Sequence, residues 1–250
     1  MWLWDWIGAE DNLHAPAPGP QLFSGEGSVA LRSLARQSLM PTALPQLAGH
    51  AVMLASADAL TAALAIIELD GLARRVMLCP PDVRAEHLPA LAVAGDIDTL
   101  VGSDDPALAT RLGLRGIALP AATRAGEPLL QPLPEPRRQH CDTEWLLLTS
   151  GTSGPPKLVE HSMAGLTHAF ACEASDPGRL WSSFYDIRRY GGLQILLRSL
   201  RCRGMLLFDA SESLPGFLAH AGKLGVTHIS GTASHWRAVL MSGAAETLRP

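Results

Sequence analysis

Four cysteines in 250 residues, Cys79, Cys141, Cys172 and Cys202, stand far apart, with no Cys-x-x-Cys pair and no histidine at metal-ligand spacing. A disulfide framework and a thiolate metal centre therefore have no support, and reduced thiols in a cytoplasmic protein are expected, with Cys79 and Cys202 buried beside apolar runs. Long apolar runs are also missing. Asp, Glu, Arg or His interrupts every candidate stretch of eighteen residues, so no membrane span is expected. The start, Met1 to Trp6, is aromatic but carries Asp5 and lacks a basic opening, which sets aside a secretory signal. A basic excess is missing as well. With a net charge of −4 and a pI near 6.1, nucleic acid is not an expected partner. No Gly-x-Gly-x-x-Gly is found, so a dinucleotide fold has no footing.

Lysine is the scarcest charge, with only Lys157 and Lys223 among twenty basic residues. Lys157 falls in the stretch that concentrates chemistry, Leu-Leu-Leu-Thr-Ser-Gly-Thr-Ser-Gly-Pro-Pro-Lys-Leu-Val-Glu-His-Ser from Leu146 to Ser162. The run Trp145 to Leu148 has the length and bulk of a buried strand, and Leu158-Val159 resumes extended character. Between them Gly151 and Gly154 free the backbone to approach an anion. Thr149, Ser150, Thr152 and Ser153 supply short hydroxyl donors, Pro155 and Pro156 stiffen the exit, and Lys157 adds a full charge. A point charge on a flexible stem suits a phosphate that moves during reaction. The order Pro156-Lys157-Leu158 rules out a Walker A loop, which ends in Gly-Lys-Ser/Thr.

The remaining chain alternates strands and helices, an α/β pattern of two consecutive βαβ blocks with mostly parallel sheets. The first block with its loop-rich start covers residues 1–122, a Pro-rich linker 123–142, and the second block 143–250. In the first block, Val29 to Leu39 reads as a modest helix and Ala51 to Leu54 as a strand. A helix capped by Ser56 runs through Ile67 and stops at Gly71. Val76 to Leu78, Thr99 to Val101 and Ile117 to Leu119 read as strands, with a helix over Val83 to Ala92 and a short one after Asp105-Pro106. In the second block Ser162 caps a helix to about Glu173, and Leu180 to Tyr185 is a strand delivering Tyr185 and Asp186 at its carboxyl end. Gly191-Gly192 opens a helix that Gly204 ends. Met205 to Phe208 is a strand, Ser213 caps a helix, Val226 to Ile229 is a strand, and Thr232 or Ser234 leads into a helix.

At Thr149 to Lys157 the chain resembles the AMP-binding, adenylate-forming superfamily of acyl- and aryl-CoA synthetases, peptide-synthetase adenylation domains and luciferases. Their signature loop has Ser/Thr, Gly, two hydroxyl residues, Gly, any residue, Pro and Lys, and each position is matched here. Leu158 departs from the usual Gly after the lysine, and Tyr185-Asp186 stands where many members carry a Phe/His pair. The resemblance implies the first half of a large N-terminal domain. It implies ATP and Mg²⁺ as cofactors, a carboxylic acid as substrate, acyl-AMP as product, and transfer to a thiol such as CoA. Thr149, Ser150, Gly151, Thr152, Ser153, Gly154 and Lys157 would hold the phosphates; Tyr185, Asp186 and His235 are candidates for the substrate side. No catalytic set is complete and no metal ligands are identified. The family's adenine motif, ribose-binding Asp and catalytic lysine are expected from a missing C-terminal half or a partner chain, so the chain alone is expected to be inactive in adenylation. Two other readings stay open: a non-catalytic half-domain binding phosphate or a partner, and a serine hydrolase using Ser150 or Ser153 with His161 and Asp186, although Pro155 breaks Gly-x-Ser-x-Gly.

Overall fold

The computed structural model describes residues 2–7, 19–25, 27–120, 129–149, 155–170, 176–208 and 212–248. Its strands are β1 (Gln21–Ser24), β2 (Gly27–Ala30), β3 (Gln37–Ser38), β4 (Ala51–Leu54), β5 (Arg75–Leu78), β6 (Thr99–Val101), β7 (Arg115–Ile117), β8 (Gln131–Pro132), β9 (Glu144–Thr149), β10 (Lys157–Ser162), β11 (Asp176–Ser183), β12 (Cys202–Leu206) and β13 (His228–Ser230). The helices are α1 (Trp4–Ile7), α2 (Ala59–Leu69), α3 (Leu88–Ala94), α4 (Leu108–Leu112), α5 (Met163–Thr167), α6 (Tyr190–Ser199), α7 (Leu214–Leu224) and α8 (Ala233–Met241). The α/β class and the parallel sheets match expectation.

The first sheet has the order β10-β9-β5-β4-β6-β7, parallel except for β10. A second sheet has the order β13-β11-β12-β1-β2, parallel except for β2. Side-chain alternation shows how they stack. In β4, Val52 and Leu54 enter one core cluster while Ala51 and Met53 enter another, and in β12 Met205 joins the first cluster while Leu206 joins a third. The shared cluster lies between the sheets and contains α2 and the apolar stripe of α6; α3 covers the far face of the first sheet and α7 that of the second. A helix that is apolar nearly all round belongs in such a middle layer, and α2 is buried from Leu60 to Leu69.

Sheet membership does not follow the linker. β9 and β10 complete the first sheet, although they follow the linker in sequence, and β1 and β2 complete the second, although they precede it.

Several element expectations are corrected. Val29 to Leu39 is not one helix: β2 pairs with β1, and a short 3-10 helix follows at Leu31–Ala35. Leu31 and Leu34, both fully buried, repeat every three residues, which suits that tighter helix. Asp58, not Ser56, caps α2, accepting from the Thr61 N–H at 2.6 Å. The helix expected from Val83 starts at Leu88, because Pro89 is tolerated only in a first turn. Helix α5 stops at Thr167. Gly204 does not end a helix but sits inside β12 at φ +133, where any Cβ would overlap the Gln21 backbone of β1.

Candidate functional site

The β9–β10 hairpin places Thr149 directly opposite Lys157, and the Thr149 hydroxyl donates to the Lys157 carbonyl at 3.3 Å. Both ends of the signature loop are thereby held at the carboxyl end of the first sheet, where open parallel sheets take their ligands. Ser150, Gly151, Thr152, Ser153 and Gly154 lie outside the described residues. At the loop's exit Pro155, Pro156 and Leu158 rest against Leu91 and Ala94 of α3, around a cavity of about 220 Å³. Lys157 is exposed, and among the described residues no carboxylate pairs with it. An exposed cation at the mouth of a glycine-bearing loop suits a polyphosphate.

The second sheet brings its own carboxyl end to the same side. Beyond β11, the Asp186 carboxylate receives the Arg188 guanidinium in a two-pronged pair, at 2.7 and 2.9 Å, and also the Arg188 backbone N–H at 2.8 Å. The same guanidinium donates across to the Ser56 carbonyl and, at 3.0 Å, to that of Ala57, in the turn after β4. Arg189 reaches Asp82, after β5, with 2.7 Å to both oxygens. Two adjacent arginines thus tie the carboxyl ends of the sheets together. Gly192 lets α6 approach this turn, since a Cβ there would overlap the Asp186 carbonyl.

Tyr185 and His235 meet, with ring centroids 5.9 Å apart and edge to face. The His235 Nδ1 accepts from the Thr232 N–H at 3.1 Å, which leaves Nε2 as the protonated nitrogen of the neutral ring. Phe184 stacks with His235, Trp236, Phe208 and Phe217 at centroid distances of 5.3 to 6.1 Å. A cavity of about 210 Å³ lies between the sheet ends, lined by Ala57, Pro81, Tyr185, Ile187, Met205 and Phe208 among others. Asp186 is held by Arg188 and does not stand free. His161 packs against Tyr190 at 5.5 Å, so His161 and Asp186 serve different neighbours and the hydrolase arrangement gains nothing.

Arg188 and Arg189 were not singled out from sequence. The local Asp-Ile-Arg-Arg spacing signals a tight turn, but the Ser56 and Ala57 partners lie over 130 residues away. No group of three or more His, Cys, Asp or Glu able to hold a metal ion occurs among the described residues. Cys79 is buried and its thiol is pushed up to about 11 by burial. No helix is long and apolar enough to cross a membrane among the described residues.

No family model and no curated protein matches the sequence. Solved structures share the fold. The chain is similar to o-succinylbenzoate CoA synthetase from Bacillus subtilis, solved with its acyl-adenylate intermediate, at 16% identity and a TM-score of 0.71, over 95% of this chain and 64% of that one. The same synthetase has been solved with ATP and a magnesium ion. A malonyl-CoA ligase with methylmalonyl-CoA and AMP bound aligns at 18% identity and a TM-score of 0.66, covering 90% of this chain and 47% of its own. MbtA from Mycobacterium smegmatis gives 19% identity and a TM-score of 0.66, covering 92% and 47%. The chain thus spans between about half and two thirds of these structures.

Proposed function

We propose, from the fold shared with the adenylate-forming synthetases, that this chain is the phosphate-binding portion of a ligase of the acyl-CoA synthetase type. The observation that carries the reading is the pairing of Thr149 with Lys157 across the mouth of the signature loop, with the lysine exposed and free of a carboxylate among the described residues. In the proposed reaction a carboxylate oxygen attacks the α-phosphorus of ATP, the bond to the β-phosphate oxygen breaks, and pyrophosphate leaves with the electron pair. Thr149, Ser150, Gly151, Thr152, Ser153 and Gly154 surround the β- and γ-phosphates, and Lys157 neutralises charge accumulating on the leaving group. The acyl-adenylate then passes to a thiol, with CoA as the acceptor. Magnesium supplies charge neutralisation in such chemistry, and no residue here is assigned to it. Tyr185 faces the substrate side from the wall of the 210 Å³ cavity with His235 against its ring, while Asp186 shapes the cavity through Arg188.

ATP–pyrophosphate exchange by the chain combined with the C-terminal half of the fold, with a panel of small carboxylic acids, tests this reading. Exchange that depends on an added acid and falls roughly ten- to a hundredfold in Lys157→Ala supports it. ATP binding without exchange for any acid, with that half supplied, leaves the non-catalytic phosphate-binding reading in its place.

A further inference from the structure

At the amino end of the first sheet, the pole opposite the β9–β10 loop, lies a cavity of about 360 Å³ that plays no part in the proposed ligase. Four separate segments wall it: Trp2 and Trp4 at α1, Leu44 after β3, the end of α2, and the linker from Leu133 to His140. Its volume is that of a small-molecule site, and its wall is mostly apolar. The Trp2 and Trp4 rings stand 5.9 Å apart and tilted by 56°, which makes an aromatic corner, and Pro41, Pro45, Pro134 and Pro136 add rigid apolar rings around it.

The buried charged groups of that wall are engaged with the protein itself. The Glu68 carboxylate receives the Ser38 hydroxyl at 2.6 Å, the Leu39 N–H at 2.9 Å and the Arg137 guanidinium at 3.2 Å. Arg137 also donates to the Leu34 and Gln37 carbonyls and lies over the Trp4 ring at 4.6 Å. The Trp2 indole N–H donates to the Asp70 carbonyl at 2.7 Å, and the buried Asp70 carboxylate accepts the Leu3 N–H at 2.8 Å, with the Trp145 indole and the N-terminal charge beside it. Burial nevertheless pushes both carboxyls upward, that of Asp70 to about 7, so this pole resists charge even where a partner is supplied. The other charged or titratable residues of the wall, Glu135, Arg138 and His140, are exposed, where solvent screens them.

We infer that this cavity binds a small uncharged aromatic molecule, a flat ring system seated in the corner of Trp2 and Trp4 and against Leu44 and Leu133. Ring contact and the burial of apolar surface supply the affinity. A charged analogue enters a site whose own buried charges are already paired and loses its hydration without gaining a partner, which is the basis of selectivity. The inference is independent of the ligase reading.

Calorimetric titration of the full chain at about pH 6 with 2-naphthol, 2-naphthoate and 2-naphthylmethylamine, which share one ring system and differ in charge, tests it. Saturable binding of 2-naphthol is expected, with each charged probe weaker by roughly tenfold or more. Trp2→Ala removes one side of the aromatic corner and should weaken 2-naphthol by roughly tenfold. Leu133 is only partly buried, so Leu133→Trp narrows the cavity from its linker wall and should abolish 2-naphthol binding in a protein that still melts cooperatively. Absence of saturable 2-naphthol binding at millimolar concentration, equal binding of all three probes, or wild-type affinity in folded Trp2→Ala or Leu133→Trp overturns the proposal.

Discussion

Lys157 is exposed at a strand end, so its replacement acts on ligand and not on fold. Lys157→Ala should leave stability within about 0.5 kcal/mol of wild type in urea unfolding, while weakening ATP by roughly ten- to a hundredfold. Arg188 is the opposite case. Its guanidinium is 6% exposed and satisfies a carboxylate and two carbonyls. Arg188→Ala should cost about 3 kcal/mol by the same measurement, and adding Asp186→Asn should recover part of that loss, because the uncompensated charge is then gone. Asp70 governs a pH response. Burial raises its carboxyl from the ordinary 3.8 to about 7, so between those values the folded chain holds a proton that the unfolded chain has released. Its contribution to stability accordingly falls as pH rises from about 4 to about 7. Comparing urea midpoints at pH 5 and pH 8, Asp70→Asn should lose less stability on going to the higher pH than wild type does. An equal loss in both would remove Asp70 as the source.

At the scale of elements, two glycines decide close approaches. Gly204→Ala drives a methyl group into the Gln21 backbone and adds backbone strain at φ +133; a cooperative unfolding transition shifted down by several kcal/mol is expected. Gly192→Ala presses on the Asp186 carbonyl and should disturb the turn that carries Tyr185. Long apolar segments were legible in sequence: Ala51 to Leu54, Thr99 to Val101 and the Trp145 to Leu148 run lie in strands, and α2 covers the stretch read as a helix, though buried on every side. Helix caps at Ser162, Ser213 and Thr232 were legible too, because each hydroxyl precedes the N–H it accepts by only three residues. Gly204 was misread because glycine after a helical run is a stop signal locally, whereas here Gln21, 183 residues earlier in sequence, demands it. The region from Val29 to Leu39 was misread for the same reason, since the pairing of Val29 and Ala30 with β1 and of Gln37 and Ser38 with β8 outweighs a weak helical period.

For the whole molecule, the stacking of two parallel sheets around α2 and α6 brings two sets of strand ends to one side. The first carries the hairpin with Thr149 and Lys157, the second Tyr185 and Asp186. The loop motif was legible because its chemistry is contiguous from Thr149 to Lys157. The joining of the two sheets by Arg188 and Arg189 was not, because it depends on how the two sheets are packed. The same holds for the cavity at the opposite pole, which is assembled from four segments. The central claim is that the hairpin loop grips a nucleoside triphosphate, and calorimetric titration of ATP into wild type and Lys157→Ala side by side tests it most directly. The account predicts saturable binding to wild type, roughly ten- to a hundredfold weaker binding to the variant, and the same melting temperature for both. Equal affinity of the two proteins, or no binding to wild type, contradicts it.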